Sequence, residues 1–372
     1  MIIRKIALNG FRNYEYETAE FDSGTNVICG QNAQGKTNLL ESVYMLSCGR
    51  SFRTRFDREL VGFDYSSADI LADLQSHGRE QTVSIRLTPG QSKKILVNGV
   101  KKSAGELGET VNAVLFSPDD LNLIREGAAI RRRLLDNAIS QIRPKYAELL
   151  SEFNRYYEHK TRILKDWREK PSLLETLDEF SDGLCRLSAQ LIRYRAAFTK
   201  RLNAAAGPIH ADFSDGREEL NIQYRTVSTV KDPFAPAKEI YYDICEHQEA
   251  HRQAELDSQQ CLTGAHKDDL EIYINGNPAR AYASQGQTRT AALSVKLAER
   301  EIFLSETGEY PILLLDDVLS ELDVKRQEFV LNRIGGGQTL ITCCEDEGIS
   351  RRTGGKVLYV SGGRIKTYYF GE

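Results

Sequence analysis

The sequence predicts an α/β fold: a mixed sheet that carries a phosphate-binding loop, interrupted by an inserted, mainly helical lobe. Three observations predict it. A short apolar stretch, Asn26-Val27-Ile28-Cys29, leads into a glycine loop and then an apolar helical pattern at 38–46. Far downstream, Pro311-Ile312-Leu313-Leu314-Leu315-Asp316-Asp317 is a continuous apolar run that ends in two acids. That is the pattern of a buried parallel strand with functional groups at its carboxyl end. Between them, over 127–260, strand-like alternation gives way to apolar residues at three- and four-residue spacing. The segments 1–126 and 261–372 therefore read as two halves of one sheet domain, and 127–260 as an insertion.

Taken in order, residues 2–8 alternate loosely and predict a strand, and Phe21-Asp22-Ser23-Gly24 predicts a turn before the loop strand. Residues 68–116 predict an antiparallel group. Segments 68–74 and 82–87 alternate with period two, Asn98-Gly99 is a strong hairpin signal, and 111–116 is a further apolar strand. Ser117-Pro118-Asp119-Asp120-Leu121 predicts a helix start, with Ser117 as cap and acids in the first turn. Helices follow over 130–136, 145–166 and 173–202, broken at Pro144 and Pro171 and finished near Gly207-Pro208. A strand at 220–224 and a helix over 236–257 close the lobe. Strands resume at 269–274 before a second Asn-Gly, Asn275-Gly276, and a long helix runs from about 287 to 304. After the acidic strand come a helix over 323–334, a strand at 338–342 and a hairpin over 356–370.

The loop Gly30-Gln31-Asn32-Ala33-Gln34-Gly35-Lys36-Thr37 fits G-x-x-x-x-G-K-[ST]. Two glycines let the backbone wrap so that successive N–H groups converge on phosphates, and the following helix aims its positive dipole end at the same anion. Lys36 is placed for the β- and γ-phosphates and the Thr37 hydroxyl for Mg²⁺. Asp316 supplies the second Mg²⁺ ligand, and Asp317 is positioned to orient or deprotonate an attacking water. Ser284-Gln285-Gly286-Gln287 precedes a helix and offers a hydroxyl, backbone N–H groups and a dipole end, although alone it is also an ordinary helix cap. Ser320-Glu321-Leu322-Asp323 follows the acids. Phosphate loop, S-x-G-Q signature, acidic strand and S-x-L-D loop, in that order, are the set of an ABC-type ATPase head.

Composition sets bounds on this reading. The chain has 372 residues, 41% hydrophobic and 27% charged, an ordinary globular mixture. No apolar run approaches the roughly 20 residues of a membrane helix, and the first residues show no leader pattern. Seven cysteines without C-x-x-C spacing argue for reduced thiols in the cytoplasm and against a zinc site. Lys+Arg is 49 against Asp+Glu 53, so a nucleic-acid surface has to be a local patch. Gly49-Arg50-Ser51-Phe52-Arg53-Thr54 suits phosphate or nucleotide contacts, or a solvated loop paired to Asp57 and Glu59. Arg131, Arg132 and Arg133 are candidate DNA contacts, as are Lys145, Arg155 and Lys160; three adjacent arginines on a helix point three ways.

Over essentially its whole length the chain resembles the RecF family. The carriers are Asn9-Gly10-Phe11-Arg12-Asn13-Tyr14, Asn32 to Glu41, Gly49 to Thr54, Phe116-Ser117-Pro118-Asp119-Asp120-Leu121, Arg131 to Asp136, Thr263-Gly264-Ala265-His266-Lys267-Asp268-Asp269-Leu270, and the signature and acidic strand. The resemblance implies an ATP-dependent homodimer that binds double-stranded DNA near single-stranded gaps. It further implies work with RecR and RecO to load RecA in gap repair, replication restart and SOS induction, with weak, DNA-stimulated ATP hydrolysis. ATP and Mg²⁺ would sit on Gly30 to Thr37 and Asp316 of one subunit, closed by Ser284 and Gly286 of another. Departures from ABC heads accompany it. Asp317 stands where transporters carry Glu, Thr342-Cys343-Cys344 where a switch histidine is expected, and 111–120 holds no glutamine. His266 lies elsewhere, in a loop. A transporter ATPase and an SMC-like organiser are the alternatives. The length of the helical section and the arginine motifs speak against the first, and the absence of long heptad arms against the second.

Overall fold

A computed structural model describes residues 1–344 and 348–368. β1 (Ile2–Phe11) and β2 (Tyr14–Glu20) pair antiparallel, and β3 (Thr25–Cys29) runs through the glycine loop into α1 (Lys36–Cys48). β4 (Ala68–Ser76), β5 (Arg79–Leu87), β6 (Lys94–Val97) and β7 (Val100–Lys102) extend the first pair into an antiparallel sheet of order β2-β1-β4-β5-β6-β7. Asn98 and Gly99 turn β6 into β7 with φ of 50° and 78°, two left-handed positions in succession. β8 (Ala113–Phe116) follows, then a 3-10 turn over Pro118–Asn122 in which Asp120 accepts the Ser117 N–H at 2.8 Å and its hydroxyl at 3.0 Å. Asp120 is therefore structural.

The middle of the chain forms α2 (Ala128–Ile142), α3 (Pro144–Asp166), α4 (Leu177–Phe213), β9 (Leu220–Arg225) and α5 (Ala237–Ser258). β10 (Asp269–Ile274), β11 (Asn277–Pro278), α6 (Ala279–Tyr282) and α7 (Gln285–Thr307) come next. The chain then gives β12 (Ile312–Asp316), α8 (Val324–Leu331), β13 (Thr339–Cys343), α9 (Ile349–Thr353), β14 (Lys356–Ser361) and β15 (Arg364–Tyr368). Of the hairpin expected over 356–370, residues 369–370 lie outside the described residues.

Two expectations fail for physical reasons. The apolar strand at 111–116 does not join the antiparallel group: β8 pairs parallel with β12, in a second sheet of order β15-β14-β3-β13-β12-β8. Its Ala113, Val114 and Phe116 are buried, so it reads as a two-face strand rather than an alternating one. The helix expected to finish near Gly207-Pro208 continues as α4 through Pro208 to Phe213. One missing N–H is offset there by burial of Ala206, His210 and Phe213 on either side of the proline.

The chain forms two compact units, one of Met1–Asn122 with the described residues from Ala292 onward, the other of Leu123–Ala291. In the first, α1 touches β5 of the antiparallel sheet and β8, β12 and β13 of the parallel one. It is buried nearly all round, beyond the single apolar face the pattern suggests. Its Ser42 and Ser47 hydroxyls turn back onto the Leu39 and Tyr44 carbonyls, at 2.7 and 2.8 Å, so they are satisfied away from water.

In the second unit α4 packs on α3, α5 and β9, and β9, β10 and β11 form a three-stranded antiparallel sheet. Its centre is charged. The Arg195 guanidinium, 2% exposed, bridges Asp136 at 2.9 Å and Asp268 at 3.1 Å and donates to the Ala265 carbonyl at 2.6 Å. Asp268 also accepts from the Tyr224 and Thr226 hydroxyls. Lys160 is buried against Glu255 at 2.8 Å, which removes it from the candidate DNA contacts. His266 donates or accepts at Nε2 with the Cys261 carbonyl, 3.0 Å away; a carbonyl only accepts, so Nε2 carries the proton. The ring lies against Tyr157, and burial pushes its pKa down to about 4. His266 is therefore a neutral structural group.

This burial has a pH signature. The unfolded imidazole titrates near 6.5 and the folded one near 4, so between those values the unfolded chain binds a proton that the fold excludes. Stability falls as pH is lowered through that window, by about 1.4 kcal/mol per unit for this residue. His210 and His247 are shifted the same way by burial and add to the slope. Urea unfolding at pH 7 and pH 5, followed by circular dichroism, should show His266→Gln losing about 2 kcal/mol less than the wild type between them. Equal losses would mean that the ring is not held neutral.

Candidate nucleotide site

Three neighbouring parallel strands finish level. Cys29 of β3 sits opposite Cys343 of β13, and Thr342 of β13 opposite Asp316 of β12. The loops that follow them meet beyond the carboxyl ends of the sheet, where open α/β sheets bind ligands. The glycine loop is forced into shape by its neighbours. A Cβ on Gly30 would lie 2.2 Å from the Val360 carbonyl oxygen. Gly35 has φ 119° and would meet the Asn13 amide at 2.8 Å, and Ala33 is left-handed at 63°. Outside the loop, Asn13 donates to the Gln34 carbonyl at 2.8 Å and the Tyr14 hydroxyl to the Gly35 carbonyl at 2.9 Å. Among the described residues the N–H groups of 31–35 donate no hydrogen bond. They form a cradle of unspent donors at the start of α1, suited to an anion.

Lys36 is 4% exposed and folds back onto the loop, donating to the Gly30 and Gln31 carbonyls at 2.7 and 3.1 Å. The Thr37 hydroxyl donates to Asp316 Oδ1 at 2.9 Å, joining the loop to the far end of the chain. Thr342 donates to the same oxygen at 2.9 Å and accepts the Asp317 N–H at 2.8 Å. Burial pushes the Asp316 carboxyl pKa up, against the pull of these two hydroxyls. A hydroxyl and a carboxylate at hydrogen-bond distance, beside a phosphate cradle, fit Mg²⁺, which takes few protein oxygens and completes its octahedron with water and phosphate. Asp317 has a left-handed backbone, φ 50°, and its carbonyl accepts the Ser320 hydroxyl at 2.7 Å. Among the described residues its carboxylate has no hydrogen-bond partner.

Most of the other sequence-predicted residues have protein-internal roles in this chain. Ser284 and Gln287 form a reciprocal helix cap: Gln287 N–H to Ser284 Oγ at 3.2 Å, Ser284 N–H to Gln287 Oε1 at 2.9 Å. Ser284 is nevertheless exposed and its hydroxyl proton stays available, with Gln285 exposed and Gly286 half-buried beside it. Asp323 caps α8 through the Arg326 N–H at 3.0 Å. Arg131, 3% exposed, holds Asp269 at 2.7 Å and three backbone carbonyls, and Arg132 donates to the Asp268 carbonyl at 2.6 Å. Arg133 alone of the three is exposed.

Sequence reasoning passed over Glu41. Fully buried on α1, it takes the Arg12 guanidinium through two bonds of 2.8 Å, accepts the Ser51 hydroxyl and lies 3.7 Å from Arg53. Arg12, Ser51 and Arg53 are thus partly anchors for the loop helix through Glu41, while Arg12 and Thr54 also engage Glu59. A carboxylate in an apolar helix run was the available signal, since such a charge is buried only with a partner. At the expected histidine position, Thr342 bridges both acids and the Cys344 thiol donates to Asn32 Oδ1 at 3.1 Å.

The family model described as RecF/RecN/SMC N terminal domain matches residues 2–355. The DNA replication and repair protein RecF of Acetivibrio thermocellus is 40% identical over 370 residues, spanning 99% of this chain and all of its own. A solved structure of the recombination mediator protein RecF with ATPrS in the RecFOR pathway aligns with TM-score 0.91 and 34% identity, over 99% of this chain and 98% of that one. The corresponding RecF–ATP structure aligns with TM-score 0.89 and 33% identity, over 99% and 97%. The fold is that of an ABC-type ATPase head with a mixed sheet and a helical lobe.

Thr342 offers a clean perturbation, because Val keeps its shape and removes the bridge to both acids. Loss of such an outer partner costs a metal site about tenfold or more in affinity. Thr342→Val should weaken binding of a fluorescent nucleoside triphosphate in Mg²⁺ by that factor and leave binding in EDTA unchanged. Equal affinities in Mg²⁺ would remove Thr342 from the site.

Proposed function

The chain belongs to the RecF family, and from that premise we propose that it is an ATP-dependent, DNA-binding recombination mediator that dimerises on ATP. The observation that supports the reading is the 2.9 Å bond from Thr37 to Asp316, a hydroxyl–carboxylate pair beside loop N–H groups that donate no hydrogen bond among the described residues. ATP phosphates lie against Gly30 to Thr37, and Lys36 exchanges its loop carbonyls for the β- and γ-phosphates. Thr37 and Asp316 would hold Mg²⁺, which would supply charge neutralisation at the phosphate oxygens. Asp317 orients water and accepts its proton. Its side chain is one methylene shorter than the Glu of transporter ATPases, which fits slow turnover and a switch-like role. The γ-phosphate meets Ser284 and Gly286 of a second copy, so the catalytic site is complete only in the dimer. The first compact unit, Met1–Asn122 with the described residues from Ala292 onward, acts as the head and Leu123–Ala291 as its inserted lobe, so that 261–291, which the sequence pattern assigns to the head, goes with the lobe.

DNA is the object held: duplex near a single-stranded gap, with hydrolysis stimulated by DNA and followed by release. RecR and RecO are the partners and RecA the protein loaded, in gap repair, replication restart and SOS induction in the cytoplasm. These assignments rest on family membership. Arg133 is the one member of the arginine run left exposed to serve as a DNA contact.

The shared site predicts that ATP turnover per protomer rises with protein concentration; turnover flat across the dimerisation range would sink it. Lys36→Met should lose nucleotide binding. Ser284→Arg should keep binding and lose ATP-dependent dimerisation by gel filtration. A Ser284→Arg protein that dimerises normally would show that Ser284 does not close the partner's site.

A further inference from the structure

We propose that a groove between α4 and α5 of the helical unit binds single-stranded nucleic acid. The proposal rests on the DNA-acting reading above and adds a site to it. The groove encloses about 780 Å³ and is built entirely within the helical unit. Its walls carry Arg186 and Arg193 from α4, Lys238 and Tyr241 from α5, Tyr194, and Phe234 from the segment before α5.

Two features give the ligand its chemistry. The first is unspent positive charge. Arg186 and Arg193 are exposed, and among the described residues neither has an ion pair or hydrogen bond, in a chain with a net charge of −4. The one carboxylate in the lining, Asp182, is engaged by the Tyr241 hydroxyl. Lys200 continues the row, with its ammonium 5.7 Å from the centre of the Phe234 ring. Positions 186, 193 and 200 are seven apart, which puts the three cations on one helix face in steps of about 10 Å. A row of this kind tracks a polyanion.

The second feature is the rings. Phe234 is 51% exposed, and Tyr194 and Tyr241 are half-buried across the groove. Cations beside accessible aromatic faces in a concavity are the combination that holds phosphates and stacked bases together. A duplex cannot use the rings, because its base faces are covered by their neighbours. An acidic peptide would answer the arginines and leave the rings against a polar backbone. A single strand answers both.

The test uses the full-length protein and a fluorescent oligothymidylate, read by anisotropy over a salt series. Arg186→Gln/Arg193→Gln should weaken binding at least about tenfold and reduce the magnitude of the salt slope by about 1.4, the counterion release of two phosphate contacts on a single strand. Phe234→Ala should weaken binding by about tenfold with an unchanged slope. The substituted side chains are exposed, so melting temperature, duplex binding and ATP turnover should stay at wild-type values. Unchanged oligothymidylate binding, an equal loss of duplex binding, or no binding by the wild type would each overturn the proposal. Competition by poly-glutamate as effective as unlabelled oligothymidylate would assign the groove to an acidic peptide instead. A wild type without duplex binding or ATP turnover that still binds oligothymidylate through these residues would overturn the parent function and leave the groove standing.

Discussion

The structure depends on one constraint: the two ends of the chain have to meet in a single parallel sheet. β3 comes from the first thirty residues and β12 and β13 from beyond residue 311, with β13 seated between the other two. The Thr37–Asp316 bond exists only because the three strands end in step. All five residues of β12 and of β13 are buried, so no solvent face selects their register. It is selected by what lies on either side, and α1, buried nearly all round, is the main filler. A slip of one residue would turn Asp316 to the opposite face of the sheet. The same packing that stabilises the sheet therefore sets the geometry of the site.

The helical unit solves a different problem. Its α4 buries one face and leaves a charged face exposed, and the centre it packs on holds an arginine between two aspartates rather than a purely apolar core. Removing one member of such a group leaves an uncompensated buried charge, which costs about 3–5 kcal/mol, although an apolar replacement of the whole group can be neutral. Its worth is thus more in specifying one arrangement than in stability. Arg195 ties α2, α4 and the segment before β10 at once, and Arg131 ties α2 to β10. These arginines fix the frame on which the exposed basic face of α4 is displayed.

What was legible in the sequence follows from the range of the forces involved. The glycine loop, the acidic strand and both Asn-Gly turns are local: a backbone that needs positive φ, or a strand buried on both faces, writes itself into neighbouring residues. β8 was misplaced because a four-residue apolar strand looks the same in either sheet, and only its partner decides. The end of α4 was misplaced because tertiary burial outweighed a local proline penalty. Arg131 to Arg133 show the limit most sharply. Three identical neighbours have three different fates, settled by Asp269, by the Asp268 carbonyl and by solvent, and none of these is adjacent in sequence. Glu41 was recoverable in principle, but its partner Arg12 is known only from the fold.

The site also contains a hierarchy of availability. Lys36 already holds two carbonyls, Thr37 holds Asp316, Ser284 caps its helix and Asp323 caps another. A ligand that engages them exchanges one hydrogen bond for another, and the net gain of such an exchange is small. The N–H groups of 31–35 and the Asp317 carboxylate have no partner among the described residues, so nothing has to be given up there. Under the proposed mechanism, the phosphates are therefore captured first by the loop of one protomer, where donors are free. Closure by Ser284 of a second copy contributes later and more weakly, since its oxygen is already accepting a hydrogen bond and only its proton is new. The proposed order, phosphate capture by one protomer and then closure by a second, thus follows from one hydrogen-bond inventory.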